Sequence, residues 1–187
     1  MNRPESFLSN YDEVEHRHRF SAWVASRAAS VKGCRFKVDL GKRIIEKSGL
    51  KKLGASHEYL PVKEDFDENH RDWREAVIQE AKDEGLPFTH GIAAKLINIY
   101  LKSIYLCGSY LKDERVKAIH PPIDRLLLDA LYQNSDGKRK ARWREFRKIG
   151  WSKLDGQEYQ MVIDLIKEVV PEEEGLWKIE AYWRGFQ

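Results

Sequence analysis

A lysine able to shed its proton and a carboxylate able to steady positive charge are the two groups this chain offers for bond-breaking chemistry. The segment Thr89-His90-Gly91-Ile92-Ala93-Ala94-Lys95-Leu96-Ile97-Asn98-Ile99-Tyr100-Leu101-Lys102-Ser103-Ile104-Tyr105 has helical spacing and is apolar on most sides. At about 100° per residue, Lys95, Asn98, Lys102 and Tyr105 gather within roughly a quarter of the circumference. A helix so apolar is expected to be buried, where lysine is expensive unless paired or functional. One reading puts the polar stripe on a water-filled cleft. The other lets both lysines snorkel, with dry stems and wet ammonium groups. Downstream, His120-Pro121-Pro122-Ile123-Asp124-Arg125-Leu126-Leu127-Leu128 sets an acid in the first turn of another apolar helix. There Asp124 can complement the helix dipole alone or take part in a reaction.

An amine in dry surroundings has its charged form disfavoured, so its pKa falls and free amine becomes available as a nucleophile. Amines attack carbonyl-like and acetal-like carbons, and a neighbouring carboxylate stabilises an oxocarbenium-like sugar. Lysine with aspartate therefore suits cleavage of a base–sugar bond. Asn98, Tyr105 and His120 stand where they can contact a substrate. Asn98 equally suits a helix–helix hydrogen bond, and His120 a turn before two prolines.

The segment 86–131 resembles the helix-hairpin-helix superfamily of DNA glycosylases. Gly91-Ile92-Ala93-Ala94-Lys95 is similar to the Gly-Ile-Gly-x-Lys end of the family's hairpin, with Thr89-His90-Gly91 in place of a glycine-rich turn. Pro122-Ile123-Asp124-Arg125-Leu126-Leu127-Leu128 is similar to its Pro-Val-Asp-x-x-Val-x-Arg segment. The long separation of Lys95 from Asp124 resembles archaeal 8-oxoguanine glycosylases, whose loop between the two helices is extended. The resemblance implies that Lys95 is the Schiff-base nucleophile and Asp124 the catalytic carboxylate, with Lys102 the competing lysine. It also implies that Gly91 lets backbone approach DNA.

The elements that must position these residues are helices. Apolar periodicity marks segments over roughly 13–30, 39–53, 71–82, 89–107, 121–133, 138–148, 156–170 and 176–183, and no convincing period-two strand is present. Asn69, Thr89 and Asp155 are expected N-caps, and Pro121 and Pro122 suit a helix start. The fold class is all-α, about eight helices forming one helical domain over 1–187. A division into two lobes around a cleft, as in the glycosylases, would fall near 85–90.

Formal net charge is only +3, so total charge does not argue for nucleic acid, but its distribution does. The stretch 138–148 holds seven bases and one acid, with Trp143 and Phe146 interleaved. Lys138, Arg139, Arg142 and Arg144 are candidate phosphate contacts, and Trp151 can stack on a base or sit in the core. Cys34 and Cys107 are the only cysteines, and neither has metal-ligand or cluster spacing, which suits a reducing cytoplasm. No signal peptide and no membrane span are expected, since no run of about 18 apolar residues occurs. His16 and His18 lack further ligands at metal spacing, so no metal or other cofactor is expected. The resulting expectation is a cytoplasmic monomer that flips a damaged or modified base out of double-stranded DNA and excises it, in repair or in defence against foreign DNA. The alternatives are a helical nucleic-acid-binding module that breaks no bond, and a regulatory or antiviral protein acting by protein–protein contact.

Overall fold

The computed structural model describes residues 11–108 and 110–185. Among the described residues there are nine α-helices and no β-strand. They are α1 (Glu13–Ala29), α2 (Val38–Lys47), α3 (Leu50–Leu53), α4 (Phe66–Asp83), α5 (His90–Leu101), α6 (Glu114–Lys117), α7 (Arg125–Gln133), α8 (Gly137–Ile149) and α9 (Gly156–Lys167). Short 3-10 turns lie at His57–Tyr59, Lys63–Asp65, Trp151–Lys153 and Leu176–Tyr182, and a π-helical turn, Lys102–Leu106, continues α5. The all-helical class is as the periodicity implied. No helix of the described residues is long and apolar enough to cross a membrane.

Apolar side chains collect in two clusters. The first is built by α1, α2, α4 and α5, around Ile44, Ile45, Phe66, Leu96, Ile97 and Tyr100. The second is built by α7, α8, α9 and the C-terminal 3-10 turn, around Leu127, Trp143, Tyr159, Ile163 and Ile179. Each large side chain taken fully out of water contributes roughly 1.5–3 kcal/mol. The change of cluster falls between Ile119 and Ile123, later than the 85–90 region where the sequence suggested a division.

Helix α5 belongs to both clusters. Ile92, Ala93, Leu96, Ile97, Tyr100 and Leu101 face the first, while Ala94 packs into the second. Small residues allow this close packing. Ala22, Ala25 and Ala29 of α1 are completely buried in the first cluster, and α1 is the helix that packs most extensively on α5. At the N-terminus, Thr89 caps α5 by accepting from the Ile92 amide at 3.2 Å and donates its own hydroxyl to the Ser152 carbonyl at 2.9 Å. The Gly91 amide donates to the Leu154 carbonyl at 3.1 Å. A Cβ on Gly91 would lie 1.8 Å from the Trp151 carbonyl oxygen. Glycine is required there because a helix start and a 3-10 turn meet backbone to backbone.

Candidate active site

Helix α5 and the cap of α7 bring together the two residues singled out from sequence. Lys95 is 7% exposed, and its Nζ lies 3.3 Å from Asp124 Oδ2. The helix starts later than the two prolines suggested, at Arg125. Residues 120–124 form no helix, and Asp124, with extended backbone, is the N-cap of α7 rather than a first-turn residue, its Oδ1 accepting from the Leu127 amide at 2.9 Å. Its Oδ2 also accepts from the Trp183 indole N–H at 3.0 Å. The carboxylate is thus held by a helix start, an ammonium and an indole, which fixes its orientation. Burial drives the Lys95 pKa below its ordinary value, and the Asp124 charge works against that shift. The Lys95 ammonium also sits 5.5 Å from the centroid of the Trp151 ring, so one wall of its surroundings is an aromatic face.

The rest of the polar stripe does not face a common opening. Lys102 forms an ion pair with Glu180 of the C-terminal 3-10 turn. That turn covers the Lys95–Lys102 side of α5, with Ile179 anchored in the second core. Asn98 points elsewhere and is 1% exposed. Tyr105 donates its hydroxyl to the Leu53 carbonyl beneath the first cluster. The physical reason lies in the π turn. There the Cys107 amide reaches back to the Lys102 carbonyl, five residues earlier, and this widened winding rotates Tyr105 away from Lys102. Asn98 and Tyr105 were expected on a substrate cleft and are instead buried structural groups.

Asn98 lies in a second polar assembly that the sequence reading did not foresee. His70 Nε2 donates to Asn98 Oδ1 at 2.7 Å, and Asn98 Nδ2 donates to the Pro121 carbonyl at 2.9 Å and to Tyr159 Oη at 3.0 Å. Tyr159, accepting there, is left to donate to His120 Nδ1 at 3.1 Å, and His120 Nε2 donates to Asp67 Oδ1 at 3.0 Å. Gln160 and Lys167 hold the other Asp67 oxygen at 2.7 and 2.6 Å. This chain of donors fixes both histidines as neutral Nε2–H tautomers. Burial lowers the pKa of His70 and His120 and raises that of Tyr159. Burial works to raise the Asp67 pKa, yet hydrogen bonds from His120 and Lys167 outweigh it and hold the carboxyl well below its usual range. His120 was expected to contact substrate; it is 1% exposed and fully engaged inside the protein. A signal was present in the sequence. Asp67, His70 and Arg74 follow i, i+3, i+7 spacing and trace a polar line along the inner face of α4.

The remaining expected contacts divide between surface and packing. Gly91 was expected to let DNA backbone approach, but its amide and Cα are occupied by the 151–154 turn. Trp151 is half-buried, packed against both clusters. Helix α8 turns Trp143 and Phe146 inward and its bases outward. Arg142 and Arg139 reach Glu168 at 3.3 and 3.9 Å, while Lys140, Arg144 and Arg147 lie 5.1, 5.9 and 4.3 Å from the centroid of the Tyr132 ring. Lys138 is exposed at the start of the helix. Among the described residues, no group of three or more His, Cys, Asp or Glu side chains is placed to hold a metal ion. Glu180 and Trp183, which contact Lys102 and Asp124, carry no sequence signal beyond belonging to an apolar C-terminal segment. Compared with protein-family models, with curated proteins and with solved structures, the chain matches none.

Proposed function

We propose that the chain is a DNA glycosylase-like enzyme in which Lys95 and Asp124 break the bond between a base and its deoxyribose. The observation that carries this reading is the 3.3 Å contact between a desolvated lysine and a helix-capping aspartate brought together from opposite ends of a long connection. Burial lowers the cost of removing the Lys95 proton, which leaves an amine able to attack the anomeric carbon. As the carbon–nitrogen bond breaks, its electron pair leaves with the base, which takes up a proton. Asp124 stabilises the positive charge that develops on the sugar. Ring opening then gives a lysine Schiff base, from which elimination can cut the strand. A pocket of about 220 Å3 lined by Arg125, Leu128, Asp129, Arg147 and Trp151 adjoins the pair through Trp151 and offers an aromatic wall for an extruded base. The exposed bases of α8 lie next to this pocket through Arg147 and supply positive charge for phosphates.

In the structure as described the pair is covered, so a sugar reaches Lys95 only when Glu180 and Trp183 move aside. Borohydride reduction in the presence of duplexes carrying an abasic site or single altered bases tests the reading. Wild type and Lys102→Ala should give a covalent protein–DNA complex, and Lys102→Ala at least as readily, because Glu180 loses its anchor. Lys95→Ala should give none. Absence of a complex with every duplex, together with salt-dependent binding, would instead favour a nucleic-acid-binding module that acts through α8 and breaks no bond.

A further inference from the structure

On the face formed by α4 and the start of α9, a cleft of about 670 Å3 shares no lining residue with the pocket beside Trp151. At its floor is Arg74, 1% exposed. Its guanidinium stacks on the Tyr159 ring with the central carbon 4.3 Å from the ring centroid. Two of its nitrogens, Nε and Nη1, are buried and meet no hydrogen-bond partner, and no carboxylate lies within ion-pair distance of it among the described residues. An unpaired buried cation is costly, because the charge has left water without gaining an acceptor. His90 lines the same cleft, its Nδ1 also buried and without a partner, and burial lowers its pKa so that the ring is neutral. Two unsatisfied buried groups thus converge on one opening.

The charges around the opening are not equivalent. Glu68 is engaged by Arg71 at 3.2 Å, Asp67 by His120 and Lys167, and Asp155 by the first turn of α9. Glu64 and Glu75 line the cleft, are exposed, and have no ion-pair partner among the described residues. Glu75 and Asp67 act on the Arg74 charge only through space, so the cleft offers at its floor one positive charge without a hydrogen-bonded acceptor and at its rim two negative charges without an ion-pair partner. A polyanion such as DNA is repelled by the rim. A simple amine is held by the rim and leaves Arg74 unmet, while a simple anion meets Arg74 alone. We propose that this cleft binds a small zwitterion, with a carboxylate or phosphate seated on Arg74 and His90 and a protonated amine held by Glu64 and Glu75.

Calorimetric titration of the full chain with β-alanine, phosphoethanolamine, inorganic phosphate and putrescine tests the proposal and separates the two oxyanions. One of the two zwitterions should bind saturably at millimolar concentration or below, and more tightly than either single-charge probe. Arg74→Gln should abolish that binding. Glu75→Gln, at an exposed position that folding does not depend on, should weaken it about tenfold, the loss expected for one charge-assisted contact. Failure of both zwitterions to bind wild type would overturn the proposal. So would tighter binding of phosphate that Glu75→Gln leaves unchanged, which would mark a site for anions alone. An Arg74→Met variant of raised thermal stability with unaltered binding would equally overturn it, leaving Arg74 a cation solvated by internal water.

Discussion

Two polar assemblies meet α5 three residues apart, and they are built on opposite principles. Around Asn98, the groups that touch the amide are neutral, the charges of Asp67, Lys167 and Arg74 lie farther out along the network, and each heavy atom of the amide has a partner. Around Lys95, the groups are charged, the carboxylate is still partly exposed, and one of its three partners, Trp183, comes from a C-terminal segment. A neutral network inside a core specifies which helices pack together and gains nothing from rearrangement. An ion pair at the edge of a core, with its amine destabilised by burial, stores the capacity to change protonation state. The contrast teaches that buried polarity on one helix can be neutral and fully bonded at one turn and charged and partly exposed at the next.

The sharpest way to break this comparison is to remove charge without changing shape. Asp124→Asn keeps the cap of α7 but leaves the Lys95 ammonium without its carboxylate, so the loss of stability should be about 1–3 kcal/mol. Base release should fall by roughly 100-fold to 1,000-fold, because stabilisation of developing charge is lost. Normal turnover in single-turnover assays of base release would reduce Asp124 to a helix cap.

The same contrast should appear, reversed, in stability. Asn98→Ala strips three hydrogen bonds from buried partners and should cost about 3 kcal/mol or more in urea unfolding. Lys95→Met removes a poorly solvated cation and keeps its stem, so its change should stay within about 1 kcal/mol. If both substitutions cost the same, the distinction between the two assemblies fails.

A smaller effect, graded with pH, reports on the buried histidines, two of which, His70 and His120, belong to the neutral assembly. His18, His70 and His120 have pKa values lowered by burial. Below about pH 6.5 the unfolded chain binds protons that the folded chain refuses, so stability is full above that value and declines as pH falls toward the folded-state pKa values. Urea midpoints measured from pH 7 down to pH 5 should decrease, and His70→Gln should make the slope shallower by up to one proton. An unchanged slope in that variant would mean that His70 is protonated inside the protein.

What the sequence disclosed and what it concealed follow from the range of the forces involved. The helices were legible because apolar periodicity and caps are local, as at Thr89 and Asp155. The Lys95–Asp124 encounter was legible only as a match of chemical types and a resemblance of two short segments, since nothing local joins residues 29 apart. The stripe failed at Tyr105 because a single π turn breaks the 100° rule, and nothing in Ser103-Ile104-Tyr105 signals that turn. Helix α4 begins at Phe66, earlier than the cap-like Asn69 suggests, and Asn69 lies inside its first turn. Glu180 and Trp183 were beyond reach because their contacts with Lys102 and Asp124 are decided by long-range packing.

The double membership of α5 has a mechanical consequence. A helix whose side chains complete two hydrophobic clusters cannot be released by melting either one alone, since the other still grips it. Its backbone amides should therefore open only in the global transition and rank among the slowest to exchange with solvent. The C-terminal turn, tied down by an ion pair, an indole hydrogen bond and one buried isoleucine, can detach at far lower cost. On the proposed reading, Lys95 would thus ride on a helix held from two sides, beneath a turn held at few points, so that access could vary while the position of the amine does not.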